Sequence, residues 1–184
     1  MPDIATTAQT QTWAADPSHS EVSFVVRHMV VAKVRGHFER FTATFEIPEG
    51  SVIPTKVAAD VDAASITTRI PDRDAHLRSA DFFDVQNYPG LTFRSTKIDA
   101  TGENTFEVTG DLSIRGTTKQ VKLSAQGALA GKDPWGNHKL AYEATARINR
   151  EDFGLTWNQA LEAGGVLVGK EIDIEISIEA ARAQ

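Results

Sequence analysis

Near its C-terminal end the chain carries Ile172, Ile174, Ile176 and Ile178 in strict alternation with Glu171, Asp173, Glu175, Ser177 and Glu179. Successive side chains of a strand point to opposite faces, so this segment has one dry face and one wet face and is not buried on both. Seven earlier segments repeat the pattern. From Glu21, Val22, Phe24, Val26 and His28 alternate with Ser23, Val25 and Arg27. Phe38 leads into Phe41, Ala43, Phe45 and Ile47, and the change of parity between Phe38 and Phe41 predicts a bulge. Lys56 to Ile66 turns Val57, Ala59, Val61 and Ala63 one way, and strands are also expected over Leu91 to Asp99, Thr105 to Arg115 and Lys119 to Leu129. Lys139 to Asn149 is the seventh, with Leu140, Tyr142, Ala144, Ala146 and Ile148 on one side.

Short turns separate most of these segments, among them Asp16-Pro17-Ser18, Pro48-Glu49-Gly50, Thr101 to Asn104, Gly116-Thr117 and Lys132 to Asn137. Connections this short join antiparallel neighbours. Eight one-sided strands must hide a large apolar face, and rolling the sheet into a barrel hides it while removing exposed edges. The expected fold is therefore all-β: an eight-stranded antiparallel, lipocalin-like β-barrel with one or two short helices. Residues 1–12 are polar and aperiodic and are expected to be a disordered tail, with a single domain over 13–184. His28 to Lys33 loses strict alternation and is expected to form a short helical turn, and Arg150 to Val166 is expected to be a loop with one turn of helix.

A barrel of this size is either filled by side chains or holds one ligand. Ala59, Ala63, Ala144 and Ala146 occupy inward positions where valine or isoleucine would pack more densely, which leaves room unless large neighbours such as Phe24, Phe45 and Phe93 take it up. Both readings stand on the sequence alone.

One stretch breaks the strand rhythm. Ser65 to Ser95 packs Pro71, the charges Asp72, Arg73, Asp74 and Arg78, the pair Phe82-Phe83, and Pro89-Gly90 into one excursion. It predicts a short helix, with Asp72 as N-cap, Asp74 adding charge near the same end, and His76, Ala80 and Phe83 on one face. Asn87 to Gly90 stops it.

Composition excludes several kinds of chemistry. There is no cysteine, which rules out disulfides, thiolate catalysis and cysteine-ligated metal sites. The net charge of −6 with scattered basic residues argues against nucleic acid as a partner. No run approaches the ~20 apolar residues of a membrane-spanning helix, and the N-terminus lacks the pattern of a secretory signal, so a cytoplasmic location is expected. The histidines at 19, 28, 37, 76 and 138 show no metal-ligand spacing, and no phosphate loop, nucleophile elbow or carboxylate pair stands out. No metal, cofactor or catalytic group is expected. Arg69, Arg73 and Arg78 could meet an anionic head group, or pair with Asp72, Asp74, Asp81 and Asp84.

Four motifs in order resemble the YceI-like family, polyisoprenoid-binding proteins with a lipocalin-like barrel: HSEVSFVVRHMVVAKVRGHF (19–38), SITTRIPDRDAHLRSADFFDVQNYPGLTFRST (65–96), GDLSIRGTTKQVKL (110–123) and INREDFGLTW (148–157). The resemblance spans Trp13 to about Glu179. It implies an apolar pore for an isoprenoid or another long-chain amphiphile, held non-enzymatically for storage or transport, with its polar end near one opening. Many members of that family carry a secretory signal, which is not seen in this sequence. By strand parity, Phe24, Val26, Phe45, Phe93, Leu112, Ile114, Ile148, Ile174 and Ile176 are expected to line the pore. His28, Arg73, His76 and Trp157 are candidates for the mouth or head group, and RDAHL and FFDV can equally be a plug. The alternatives are an enzyme using His28 or His76 as acid and base, and a filled barrel serving as a structural or dimerisation module; a homodimer is held open with either.

Overall fold

In a computed structural model, which describes residues 9–183, each alternating run becomes a strand. In chain order these are β1 (Thr10–Ala15), β2 (Glu21–His28), β3 (Ala32–Phe38), β4 (Phe41–Pro48), β5 (Lys56–Asp62), β6 (Ile66–Thr67), helix α1 (Pro71–Arg78), β7 (Gly90–Ala100), β8 (Thr105–Ile114), β9 (Thr117–Lys132), β10 (His138–Asn149) and β11 (Val168–Arg182). All pairings are antiparallel, in the order β1-β4-β5-β7-β8-β9-β10-β11-β2-β3-β6, and β1 returns to pair with β11.

These eleven hydrogen-bonded segments make a closed barrel of eight strands. β1 and β2 are one strand broken by a 3-10 turn at Pro17–His19, and together they pair along β11, through Trp13↔Arg182 at one end and His28↔Val168 at the other. β3 and β4 are a second broken strand, interrupted at Glu39 and Arg40, so that Phe38 and Phe41 are both buried. This is the parity change read from the sequence. β5 and β6 form the third, broken by a 3-10 turn at Ala63–Ser65, where Ser65 Oγ donates to Asp62 O and accepts from the Arg40 amide.

Three expectations need correcting. Strand β1 begins at Thr10, inside the stretch expected to be tail, because its polar residues gain partners in β4 (Thr10↔Pro48, Thr12↔Glu46); residues 1–8 lie outside the described residues. His28 to Lys33 is no helical turn. It is the tight end of the β2–β3 hairpin, with Met29 and Val30 in the left-handed region at φ 49° and 72°. Helix α1 is capped by Ile70 and not by Asp72, which lies within the first turn, and it ends at Arg78 before reaching Ala80. The reason is Pro71. With its ring-fixed φ and missing N–H it suits the first helical position, which sets the helix two residues earlier than an Asp72 cap would.

The core has two centres, one at each end of the barrel. Trp13, Phe45, Ile47, Phe106, Leu140 and Tyr142 pack one end, where the 49–55 loop closes over them with Val52 and Ile53. Phe38, Ile66, Phe82, Ile114, Phe153 and Leu155 pack the other, joined by Leu77, Phe83 and Trp157.

Candidate functional site: an apolar chamber with one buried charge

Between these centres the barrel is hollow. A cavity of about 250 Å³ runs inside the wall. The inward side chains Phe24, Val26, Phe93, Leu112, Ile148, Ile172, Ile174 and Ile176 face it and are only half-buried, although they point to the interior. Packed interiors leave few voids, so accessible surface on inward residues means that no neighbour fills the space opposite them. The alanines explain part of it. Ala59, Ala144 and Ala146 line the chamber, whereas Ala63 is tucked into the 3-10 turn with 1 % of its surface exposed and does not reach it. Gly36 contributes by absence: a Cβ there would collide with the ring of Phe24, which lies across the β3 backbone toward Phe38.

All nine residues assigned to the inner wall by parity, namely Phe24, Val26, Phe45, Phe93, Leu112, Ile114, Ile148, Ile174 and Ile176, line this chamber. Of the four mouth candidates, none does. His28 ends β2 opposite Val168. Arg73 turns back to the strand before it, donating from Nε to Thr68 Oγ1 at 2.7 Å and from a terminal nitrogen to Thr68 O. His76 and Trp157 do come together: their rings meet edge-on at 4.6 Å, and the His76 ring also meets Phe82 at 5.1 Å. The Nε2 atom of His76 lies 2.8 Å from Asp81 Oδ2.

The excursion closes this end as a plug. Leu77, Phe82 and Phe83 form part of the chamber surface. Polar bonds to backbone anchor the segment: Arg78 donates to Ala64 O and Ile66 O at 2.8 and 2.7 Å, and Arg115 to Phe82 O at 2.9 Å. Asp74 is buried. Its carboxylate accepts from the Thr68 amide, Thr68 Oγ1 and Thr67 Oγ1. Burial alone would raise the Asp74 pKa, but these bonds and the Arg78 charge outweigh it and hold the group below its ordinary range. The hydrogen bonds of Arg73 and Arg78 thus go to Thr68 and to backbone carbonyls, and neither lines the chamber.

The wall itself is split at one place. β9 and β10 pair from Lys132 and His138 as far as Ser124 and Thr145. Beyond that, β9 continues to Thr117 paired only with β8, and β10 to Asn149 paired only with β11. Val121 and Leu123 flank one side of the split and Ala146 and Ile148 the other, all four lining the chamber.

At the foot of β10 sits a residue not picked out from the sequence, Arg150. It starts the 3-10 turn Arg150–Phe153, is 4 % exposed, and is the only charged residue among the described residues lining the chamber. Its guanidinium donates to Gly169 O (2.8 Å), Leu155 O (2.6 Å), Trp157 O (3.0 Å) and Val168 O (3.4 Å). The sequence held a signal for it. Leu140, Tyr142, Ala144, Ala146 and Ile148 set an inward parity, and Arg150 is the next position in that series.

Among the described residues one group has metal-ligand composition, Asp16, His19 and Glu179, outside the chamber. The Lys139 ammonium lies 3.5 Å from Asp16 Oδ2 and 3.4 Å from Glu179 Oε1, so a cation already serves these carboxylates. No helix of the described residues is long and apolar enough to cross a membrane.

A closed eight-stranded antiparallel barrel around an apolar chamber defines a lipocalin-like architecture. The chain belongs to the YceI-like family, whose domain profile matches residues 13–180. It is 34 % identical over 164 residues to a UPF0312 protein of Azotobacter vinelandii, covering 89 % of this chain and 82 % of that one. Among solved structures it is similar to Burkholderia cenocepacia BcnA, with a TM-score of 0.77 and 23 % identity over 90 % of this chain and 98 % of that one. It is also similar to a polyisoprenoid binding domain from Saccharophagus degradans, with a TM-score of 0.66 and 14 % identity over 94 % and 99 % of the two chains.

Proposed function

We propose that this protein binds a lipid-like amphiphile, a polyisoprenoid or similar long-chain molecule, inside the barrel and stores or carries it without chemical change. The observation behind the proposal is the hollow middle of the barrel: half-buried apolar side chains facing a void whose surface is almost wholly hydrocarbon. Unfilled apolar space of this kind suits an apolar chain better than water, which needs several polar partners to enter. Filling it gains roughly 25 cal/mol for each Å² of apolar surface withdrawn from water. The structural neighbour from Saccharophagus degradans, a polyisoprenoid binding domain, supports the same ligand class. His28 and His76, the candidate acid and base of an enzyme, both lie off the chamber lining, which favours holding the ligand over transforming it.

The test is to extract the purified protein with organic solvent and identify the extract by mass spectrometry, alongside Phe24→Asp and Ile174→Asp variants that place a charge on the wall. The expected result is a stoichiometric long-chain molecule absent from the variants. A protein that yields nothing and gains no thermal stability from any added amphiphile would overturn the proposal.

A further inference from the structure

At the Phe153 end of the barrel two neighbouring loops put hydrocarbon into water. The β2–β3 hairpin turns through Met29, Val30 and Val31, all exposed and the last by 77 %. Beside it runs the loop from Leu161 to Leu167, whose sequence LEAGGVL holds one charge, Glu162, and whose Val166 is exposed as well. The two loops touch: the Met29 amide donates to Leu167 O at 2.9 Å, and a Cβ on Gly165 would come within 3.2 Å of Val30 Cγ2. Val30 stands at φ 72°, a region that a β-branched residue enters only at a cost, and the result is a valine presented to solvent.

Directly behind this apolar crest stand two cations. Arg27 and Lys33 are exposed cross-strand partners, a like-charge pairing that destabilises a sheet. Among the described residues neither forms an ion pair. Asp173, the acid that feels both, is held by Arg147 at 2.6 Å, while Arg35 and Lys170 pair with Glu175 and Glu151. At about 3.3 Å per residue the two cations lie roughly 7–10 Å behind the crest. That matches the depth of about 5–10 Å to which interfacial elements bury an apolar face while basic residues stay among the head groups. The crest also adjoins the chamber. His28 pairs with Val168, which lines it, and the row Ile148↔Ile172↔Val26 puts the flank of the β9–β10 split at this same end, with only β11 between.

We infer that Met29, Val30, Val31 and Val166 form a membrane-docking surface, which enters the interface of a bilayer displaying anionic lipid and sets Arg27 and Lys33 against the phosphates. This rests on the proposed chamber function for its purpose, since long-chain amphiphiles reside in bilayers and docking here brings the chamber to their source. The chemistry favours a lipid surface over a protein partner. A protein interface carries a rim of hydrogen-bonding groups, whereas from Met29 to Ala32 the crest offers no polar side chain. The overall charge of −6 opposes any anionic surface, so the attraction comes from this local pair and weakens with added salt.

The experiment measures partition of the full chain, at low salt, onto vesicles of phosphatidylcholine alone and of phosphatidylcholine with phosphatidylglycerol in equal parts. Binding at least about tenfold tighter to the mixed vesicles is expected, the scale of two cations near a charged surface. Val31→Asp combined with Val166→Asp should weaken binding to the mixed vesicles by about tenfold or more. Arg27→Gln combined with Lys33→Gln should bring the two compositions to within about twofold. Val30→Asn, which tolerates the left-handed region better, should unfold no earlier than the parent yet bind vesicles more weakly, which separates docking from folding. Ile174→Asp, on the chamber wall, should dock as the parent does. A parent that ignores both vesicles while still yielding a long-chain molecule on extraction overturns the docking surface and leaves the chamber reading standing. Docking that Val31→Asp weakens, in a protein that yields no such molecule, supports the surface and overturns the chamber reading. Self-association through the crest without vesicle binding, seen as a doubled light-scattering mass that Val31→Asp halves, also overturns the docking surface.

Discussion

The two ends of the barrel are closed by different means. At the β1–β4 end, aromatic side chains do most of it beneath the 49–55 loop: Phe45 and Tyr142 stack at 5.3 Å with 16° between ring planes, Phe106 meets Tyr142 edge-on at 6.2 Å, and Trp13 packs beside them. The buried Tyr142 hydroxyl there donates to Val52 O at 2.8 Å, and burial pushes its pKa up. At the α1 end, chain segments do it. The excursion 68–89 and the turn after β10 lie across the opening, tied down by Arg78, Arg115, Asp74 and Arg150 through bonds to backbone and to threonine. Strand residues that alternate can fill an end with hydrocarbon. The segment that leaves the strand pattern after β10 buries a cationic side chain by giving it four backbone carbonyls.

The largest expected effect tests whether both closures are equally packed. Phe45→Ala at one end and Phe153→Ala at the other should each cost about 3–5 kcal/mol in urea unfolding, because each removes a buried ring from a filled region. A loss below about 1 kcal/mol at either site would show that end to be loosely closed.

Next comes Asp74→Ala, which strands the Thr68 amide and two hydroxyls and should cost about 2–3 kcal/mol, with no counterpart at the other end. Its pH dependence has a definite sign. The folded-state pKa is depressed, so the contribution is fully present above the unfolded value of about 3.9 and is lost as pH falls through the lower folded value. The parent should therefore lose more stability below about pH 4 than the variant does. Parallel acid profiles for the two would contradict this.

The hollow middle should behave unlike either end. Ile174→Ala is expected to cost only about 1–2 kcal/mol, since part of that side chain already faces empty space, and to weaken amphiphile binding measurably. A cost as large as that of Phe45→Ala would mean that the wall is packed there. The smallest effect is Tyr142→Phe, about 1 kcal/mol for one lost bond to Val52 O, with amphiphile affinity unchanged because the ring that lines the chamber is kept; a binding loss would show that the hydroxyl bond positions that wall.

Much of the wall was legible from parity. Strand alternation is a local property, and the nine residues placed inward by it all line the chamber. The excursion was legible as a helix between strands, but not in its bonding. Asp74 and Asp72 are chemically alike, two residues apart, and which carboxylate turns back onto Thr67 and Thr68 depends on where β6 holds Thr67 against β3, with Thr68 following it. Arg150 was readable as the next inward position after Ile148, yet a charge at the end of an apolar series looks like the point where a strand reaches water. Its burial depends on Leu155, Trp157, Val168 and Gly169, carbonyls from a loop and a strand that have no sequence pattern in common with it.

The amino-acid sequence by itself determined that the chain makes one-sided strands joined by short turns, since period-two hydrophobicity acts between neighbours and needs no partner to be read. It also marked where that rhythm breaks. Tertiary structure alone decided that β1 and β11 meet, that Thr10 to Thr12 join the sheet, that the middle of the barrel stays empty, and that the Arg150 guanidinium is buried among loop and strand carbonyls at its end. Closure pairs residues more than 160 positions apart, and a void is the difference between the space a wall encloses and the volume of every side chain facing it. Neither quantity belongs to any single stretch of sequence.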